Sequence, residues 1–226
     1  MKKLILFFLA FTFSNIFSQQ YHFDYFIEKQ INKVKPDKER IISNSFYDSN
    51  NKFKLTLDTY NEITRGFIFD KNTNLRHCFK VRRDNGSVSF QYVHTNDFSN
   101  KKNNKDYSKD DILEIKRIDS LQYSIIVFKN EKRKRKRFTA VVNLEKSDFN
   151  NLDIQADYNR CDEIGKEIGK LLDQRFNYNI KKLQINYSSG YIFETTISRI
   201  QKVDLSLKLP EKLIIKEFDF FGEFQD

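Results

Sequence analysis

Three histidines, two cysteines and one run of six cations are the side chains in this sequence whose chemistry could define a function. His22, His77 and His94 are too far apart to chelate a metal locally, which needs i, i+2 on a strand or i, i+4 on a helix. His77 adjoins Cys78, but strand neighbours point to opposite faces, so the two cannot ligate one ion together. His94 with Asp97 offers half of a general-base dyad and no nucleophile nearby. The carboxylate pairs Asp110-Asp111 and Asp162-Glu163 fall in a loop and at a helix start, where solvation and capping account for them. Nucleophile elbow, phosphate loop and dinucleotide fingerprint are all missing. The reading is of a non-enzyme without cofactor or metal; an exported hydrolase assembled from distant residues is the second alternative.

Cys78 and Cys161 lie roughly 80 residues apart, and a bond closing such a loop stabilises by about 4 kcal/mol. In an oxidising compartment the pair is expected to be a disulfide. The rival reading makes Cys161 a reactive thiol at a helix N-terminus. The cations are Lys132, Arg133, Lys134, Arg135, Lys136 and Arg137, behind the turn residues Asn130-Glu131. They are expected to form a protruding hairpin end, alternating between the two faces, with two possible roles. One is a solvated, aggregation-resistant edge; the other is docking onto an anionic surface, each cation adding about 1 kcal/mol near a membrane. No sequence-specific nucleic-acid reading follows.

The compartment is read from the first residues. Met1-Lys2-Lys3 is basic, Leu4 to Phe13 is apolar apart from Thr12, and Ser14 to Gln20 is polar. This is the layout of a secretory signal peptide, with a cut expected between Ser18 and Gln19. Its apolar run is too short to span a bilayer, so no transmembrane span is expected in the mature chain. The full chain has 226 residues and a net charge of +9, two units of which lie in the leader. That moderate excess favours anionic partners or plain solubility. A mean hydropathy of −0.67 excludes a polytopic helical membrane protein.

Residues 19–226 are expected to form one β-rich domain. Phe53, Leu55 and Leu57, then Val88, Phe90 and Tyr92, then Val203, Leu205, Leu207 and Leu209 alternate with polar residues, as in half-buried strands. Similar runs are 21–29, 40–47, 63–70, 75–82, 112–118, 121–129, 138–144, 183–187 and 191–198. The polar turns between them are too short for parallel returns, so the fold expected is all-β, mainly an antiparallel meander. An open or closed barrel-like sheet is preferred, with a two-layer β-sandwich as the alternative. One helix is expected near 160–174: Ile164, Ile168, Leu171 and Leu172 make one stripe, Asn159 is the expected N-cap, and Gly165 with Gly169 allows close approach to the sheet. Ser99 to Asp111 reads as a polar loop, and Glu145 to Tyr158 as an irregular connection into the helix. Phe53, Phe67, Phe69, Phe90, Tyr92, Tyr123 and Phe193 could line an apolar cavity under that helix, taking a lipid-like ligand.

The leader through Phe17-Ser18-Gln19-Gln20 and the Asn/Lys/Phe-rich, glycine-poor body resemble uncharacterised exported β-rich proteins of Bacteroidota-type bacteria. The resemblance is one of style over the whole length and carries no functional residues. It implies O-glycans on Asp-Ser/Thr-apolar motifs, to which Asp119-Ser120-Leu121 is similar. The function expected is a non-enzymatic periplasmic, cell-surface or secreted protein that binds an apolar or anionic envelope component. An outer-membrane β-barrel is the first alternative, weakly favoured by Phe224 near the end.

Overall fold

A computed structural model describes residues 19–84, 87–99, 107–219 and 222–224. The leader, residues 85–86 of one expected turn and residues 100–106 of the polar loop lie outside them. The chain is mostly β with one α-helix. Its strands are β1 (Gln20–Lys35), β2 (Glu39–Tyr47), β3 (Lys54–Tyr60), β4 (Ile63–Asp70), β5 (Leu75–Asp84) and β6 (Ser87–Asp97) in a first meander. A second comprises β7 (Ile112–Asp119), β8 (Gln122–Phe128), β9 (Lys136–Ser147), β10 (Asn177–Tyr187) and β11 (Ile192–Lys208). Helix α1 (Cys161–Lys170) interrupts the second meander, and β12 (Ile215–Lys216) follows it.

All twelve strands belong to one sheet, in the order β12-β6-β5-β4-β3-β2-β1-β11-β10-β9-β8-β7. The long first and last major strands, β1 and β11, join the two meanders at its centre. The sheet is open, with edges at β7 and β12, so the sandwich alternative does not hold. A membrane-spanning barrel needs every edge paired, which this sheet lacks among the described residues. No described helix is long and apolar enough to cross a membrane.

Three expectations are corrected in detail. The segments 191–198 and 203–209 form one continuous strand, β11, because its pairing with β1 carries on through register shifts that absorb the break in alternation. β12 runs parallel to β6, against the antiparallel pattern elsewhere. Phe224 is buried beside Tyr60 and Phe67 instead of facing lipid.

Alternation gives the sheet two working faces. On one, the register lines up Ile27, Ser45, Thr56, Phe67, Cys78 and His94 as a row across β1 to β6. The same face continues through Leu183, Val142 and Tyr123 in the second meander. There it is sealed by Ile164 and Ile168 of α1 and by Ile154 of the connection before it. Leu55, Leu57, Ile68, Phe79 and Val81, on the opposite face of the first meander, form a second cluster with Tyr21, Phe23, Leu207 and Leu209 from the ends of β1 and β11. Burial of fully enclosed side chains of this size stabilises by about 1.5–3 kcal/mol each, so both halves are anchored and α1 is fixed to the second.

Helix α1 begins differently from expectation. Arg160, not Asn159, is its N-cap residue, and it makes no side-chain capping bond. Its guanidinium instead binds the Ser108 and Asp111 carbonyls at 3.1 and 2.8 Å and pairs with Glu163 at 2.6 Å. Leu171 ends the helix half exposed, so the buried stripe is Ile164 and Ile168.

Candidate functional site

Because α1 covers only the second meander, the first leaves the same face open, and a cleft of about 860 Å³ lies between them. Its sheet wall is Lys54, Thr56, Asp58, Phe67, Phe69 and Arg76 from β3, β4 and β5. Its other wall is Leu152, Asp153, Asp162, Gly165, Lys166 and Leu172, from α1 and its flanks. Four aromatic residues, Tyr47, Phe53, Phe176 and Tyr178, complete the lining. The volume is within the range of small-molecule sites, and an aromatic floor with a few charged groups is the usual lining.

Two ion pairs tie the walls together. Lys71, in the β4–β5 turn, reaches Asp162 of α1 at 2.5 Å, and Lys54 of β3 reaches Asp153 at 3.4 Å. The second pair adjoins a buried ammonium. Lys29 of β1 is 7% exposed and donates to Gln155 Oε1 at 3.3 Å. Burial, with the repulsion of Lys54, lowers its pKa to about 8 despite the opposing pull of Asp153. Burial works to raise the Asp153 carboxyl, and the ammonium groups of Lys54 and Lys29 overcome it and hold the pKa below the ordinary range. Asp58 has its pKa raised by burial, against Arg76 and Lys54. The cleft therefore mixes apolar surface with both signs of charge.

A second constellation lies beside the cleft. Glu223, in the C-terminal turn η1 (Gly222–Phe224), sits over β5 and β6 with its carboxylate 2.9 Å from His94 Nε2 and 2.7 Å from Arg76 Nη2. Arg65 Nε donates to the Glu223 carbonyl at 2.7 Å. Cys78 donates its thiol proton to the same carboxylate, and burial with that neighbour pushes the thiol pKa up to about 12. Burial acts to raise Glu223, but His94, Arg76 and Cys78 together hold it low. Cys78, His94 and Glu223 offer thiol, imidazole and carboxylate atoms all within 4.8 Å of one another. The order of contacts is wrong for nucleophilic catalysis. The carboxylate stands between thiol and imidazole, whereas a nucleophile triad needs the imidazole in the middle.

The other sequence-derived candidates are distributed as follows. Phe53, Phe67 and Phe69 line the cleft. Phe90 and Tyr92 pack on the opposite face, Tyr123 is fully buried beneath α1, and Phe193 contacts Tyr187 and Tyr191. Cys78 and Cys161 are both free, which overturns the disulfide. Cys78 is directed to Glu223, and Cys161 donates to the Ala156 carbonyl at 3.6 Å. Burial raises the Cys161 pKa, so helix-end activation does not hold either. His77 bonds Thr95 at 2.9 Å, and Asp97 is exposed while His94 pairs with Glu223. Ser120 is exposed in the β7–β8 turn.

Within the basic run, Arg133 pairs with Glu114 at 3.3 Å and Arg137 with Asp111. Positive φ at Arg133 breaks the expected alternation in the turn. Lys132, Lys134, Arg135 and Lys136 are exposed. Sequence reasoning missed Lys29, Leu152, Asp153, Arg76 and Glu223. The Gly165/Gly169 spacing was the one signal of a close approach, although its partner is Leu152 and not the sheet.

No family model matches this chain, and no curated protein matches it. Among solved structures it is similar to a LolA superfamily protein from Nitrosomonas europaea, over 80% of this chain and 87% of that one. The identity is 11% and the TM-score 0.23, an overlap that carries no conclusion about ligand or activity.

Proposed function

We propose that this chain is an exported, non-enzymatic binding protein that holds an amphiphile in the cleft between α1 and the β3–β5 wall. One observation carries the reading: the helix seals half of the face and leaves about 860 Å³ open over an aromatic floor. A cleft of this size matches the usual scale of small-molecule pockets, lined by apolar and aromatic side chains with a few polar groups. Phe67, Phe69, Leu152 and Leu172 suit an apolar body, while Lys52 and Lys166 at the lining suit a polar or anionic head. Export rests on the tripartite leader. It is supported by Gln19, the residue after the expected cut, whose carbonyl already accepts the Leu209 amide at 2.9 Å.

The test is titration of the purified protein with a fluorescent long-chain fatty acid, together with native mass spectrometry of protein taken from its own periplasm. One saturable site is expected, and Thr56→Trp, which fills the cleft from mid-wall, should block it without lowering Tm. Saturation unchanged in Thr56→Trp, or no saturable binding at all, refutes the reading.

A further inference from the structure

Cys78 and His94 face each other across β5 and β6, and Glu223 is laid over both from the C-terminal turn. We propose that Cys78, His94 and Glu223 bind one borderline-soft divalent cation of the zinc type, with water as the fourth ligand. The argument is independent of the cleft and its occupant.

Chemistry of the donors comes first. Thiolate, imidazole and carboxylate are the three side-chain ligands zinc uses, while magnesium and calcium demand oxygen shells that one carboxylate cannot supply. Geometry comes second. Ligand bonds of about 2.0–2.3 Å in a tetrahedral shell place the donor atoms about 3.3–3.8 Å apart. Here all three lie within 4.8 Å, so the widest pair closes by about 1 Å, within side-chain reach. All three residues are buried, the thiol completely. His94 turns Nε2 to within 2.9 Å of the Glu223 carboxylate, so this is the ring nitrogen placed to ligate.

The surroundings hold the carboxylate in place. Arg76 occupies Glu223 Oε1 at 2.7 Å and is itself wedged between the rings of Phe67 and Phe218, at 4.6 and 4.4 Å. Oε2 is left toward His94, and Arg65 fixes the Glu223 backbone. Outer-shell partners of this kind orient a ligand before the ion arrives. The two guanidinium groups also repel a cation, but loading expels the thiol proton to solvent as the metal–sulfur bond forms. The local charge therefore rises by a single unit, and Asp58 beside Arg76 offsets part of it.

Cobalt(II) is the probe, because thiolate ligation gives a sulfur-to-cobalt charge-transfer band and four-coordination gives intense visible bands. Chelator-treated full-length protein should develop both, saturating at one equivalent and bleaching on addition of zinc. Cys161→Ser should retain the band, and Cys78→Ser and His94→Gln should lose it. Absence of the band in folded wild-type protein, or its loss in Cys161→Ser, overturns the site. Those two measurements decide the matter even if Cys78→Ser does not fold.

Discussion

Gly165 of α1 rests against the backbone carbonyl of Leu152, so closely that a Cβ added to the glycine would lie 2.5 Å from that oxygen. Gly169, one turn on, meets only the Leu152 side chain, at 3.7 Å. The helix is therefore seated on the connection that carries Asp153 and Ile154, and this contact sets one wall of the cleft. The two glycines predict opposite outcomes. Gly165→Ala gains about 1 kcal/mol of helix propensity but forces a backbone shift worth about 1–3 kcal/mol. Its Tm is expected to fall by several degrees, with weaker fatty-acid binding. Gly169→Ala has room for its methyl and should gain about 0.5–1 kcal/mol. Thermal unfolding of both variants checks the pair, and equal shifts would contradict the Leu152 contact.

Two free thiols lead to a second expectation. Labelling of denatured, unreduced protein should modify both cysteines. In the native state Cys161, partly exposed, should react slowly, and Cys78 should react only on unfolding or opening of the C-terminal turn. Both pKa values are raised, so neither should show thiolate-like rates at neutral pH. A single label on the denatured chain would argue for oxidation that this fold does not accommodate.

Why some of this was legible in sequence and some not follows from the range of each signal. Alternation at Lys54-Leu55-Thr56-Leu57-Asp58 announces a strand with two faces, and Ile164 with Ile168 announces a helix stripe. Both are local periodicities. Partners brought together by register are not local: Cys78 meets His94 through the β5–β6 ladder and Glu223 through a turn 145 residues later. The reading that His77 and Cys78 face opposite ways was sound, yet it could not supply a carboxylate from the far end of the chain. The expected disulfide failed for the same reason. Cysteine pairing was inferred from compartment and loop length, and neither contains the information that β5 and the start of α1 direct their thiols to Glu223 and Ala156. The aromatic residues were split by face. Phe67 and Phe69 look into the cleft, whereas Tyr123, on the same face of the sheet, is covered by α1.

The basic run should divide by function. Arg137 pairs with Asp111, whose side chain is 1% exposed, so Arg137→Ala removes the ion-pair partner of a buried carboxylate and should cost about 2–3 kcal/mol. Lys132, Lys134, Arg135 and Lys136 are exposed, and replacing them with Ser and Gln should leave Tm nearly unchanged. If these four dock the protein on anionic surfaces, the same replacement should abolish retention on anionic vesicles, and wild-type retention should fall steeply with salt. Retention unchanged in the quadruple variant would mark the run as a solvated edge. A large stability loss would show packing that their exposure does not suggest.

Lys29 supplies the pH dependence. Its folded pKa is about 8, against 10.5 for the unperturbed ammonium, because burial disfavours the charge. Between those values the unfolded chain binds more protons than the folded one, so this group makes stability rise as pH climbs from about 8 to 10.5. Below pH 8 the cost of a buried ammonium is present in full, on the order of 3 kcal/mol for a shift of this size. Lys29→Met keeps the stem's packing near Ile180, Leu183 and Ile197, and Asp153 keeps Lys54 as its partner. The variant should therefore be more stable than wild type at pH 7 by up to that amount, with the advantage shrinking to zero above pH 10.5. Urea unfolding of both proteins at pH 7, 9 and 10.5 measures the difference directly, so other groups titrating in this range cancel. A variant less stable than wild type at pH 7 would mean that the pairing with Asp153 and Gln155 outweighs the desolvation of Lys29.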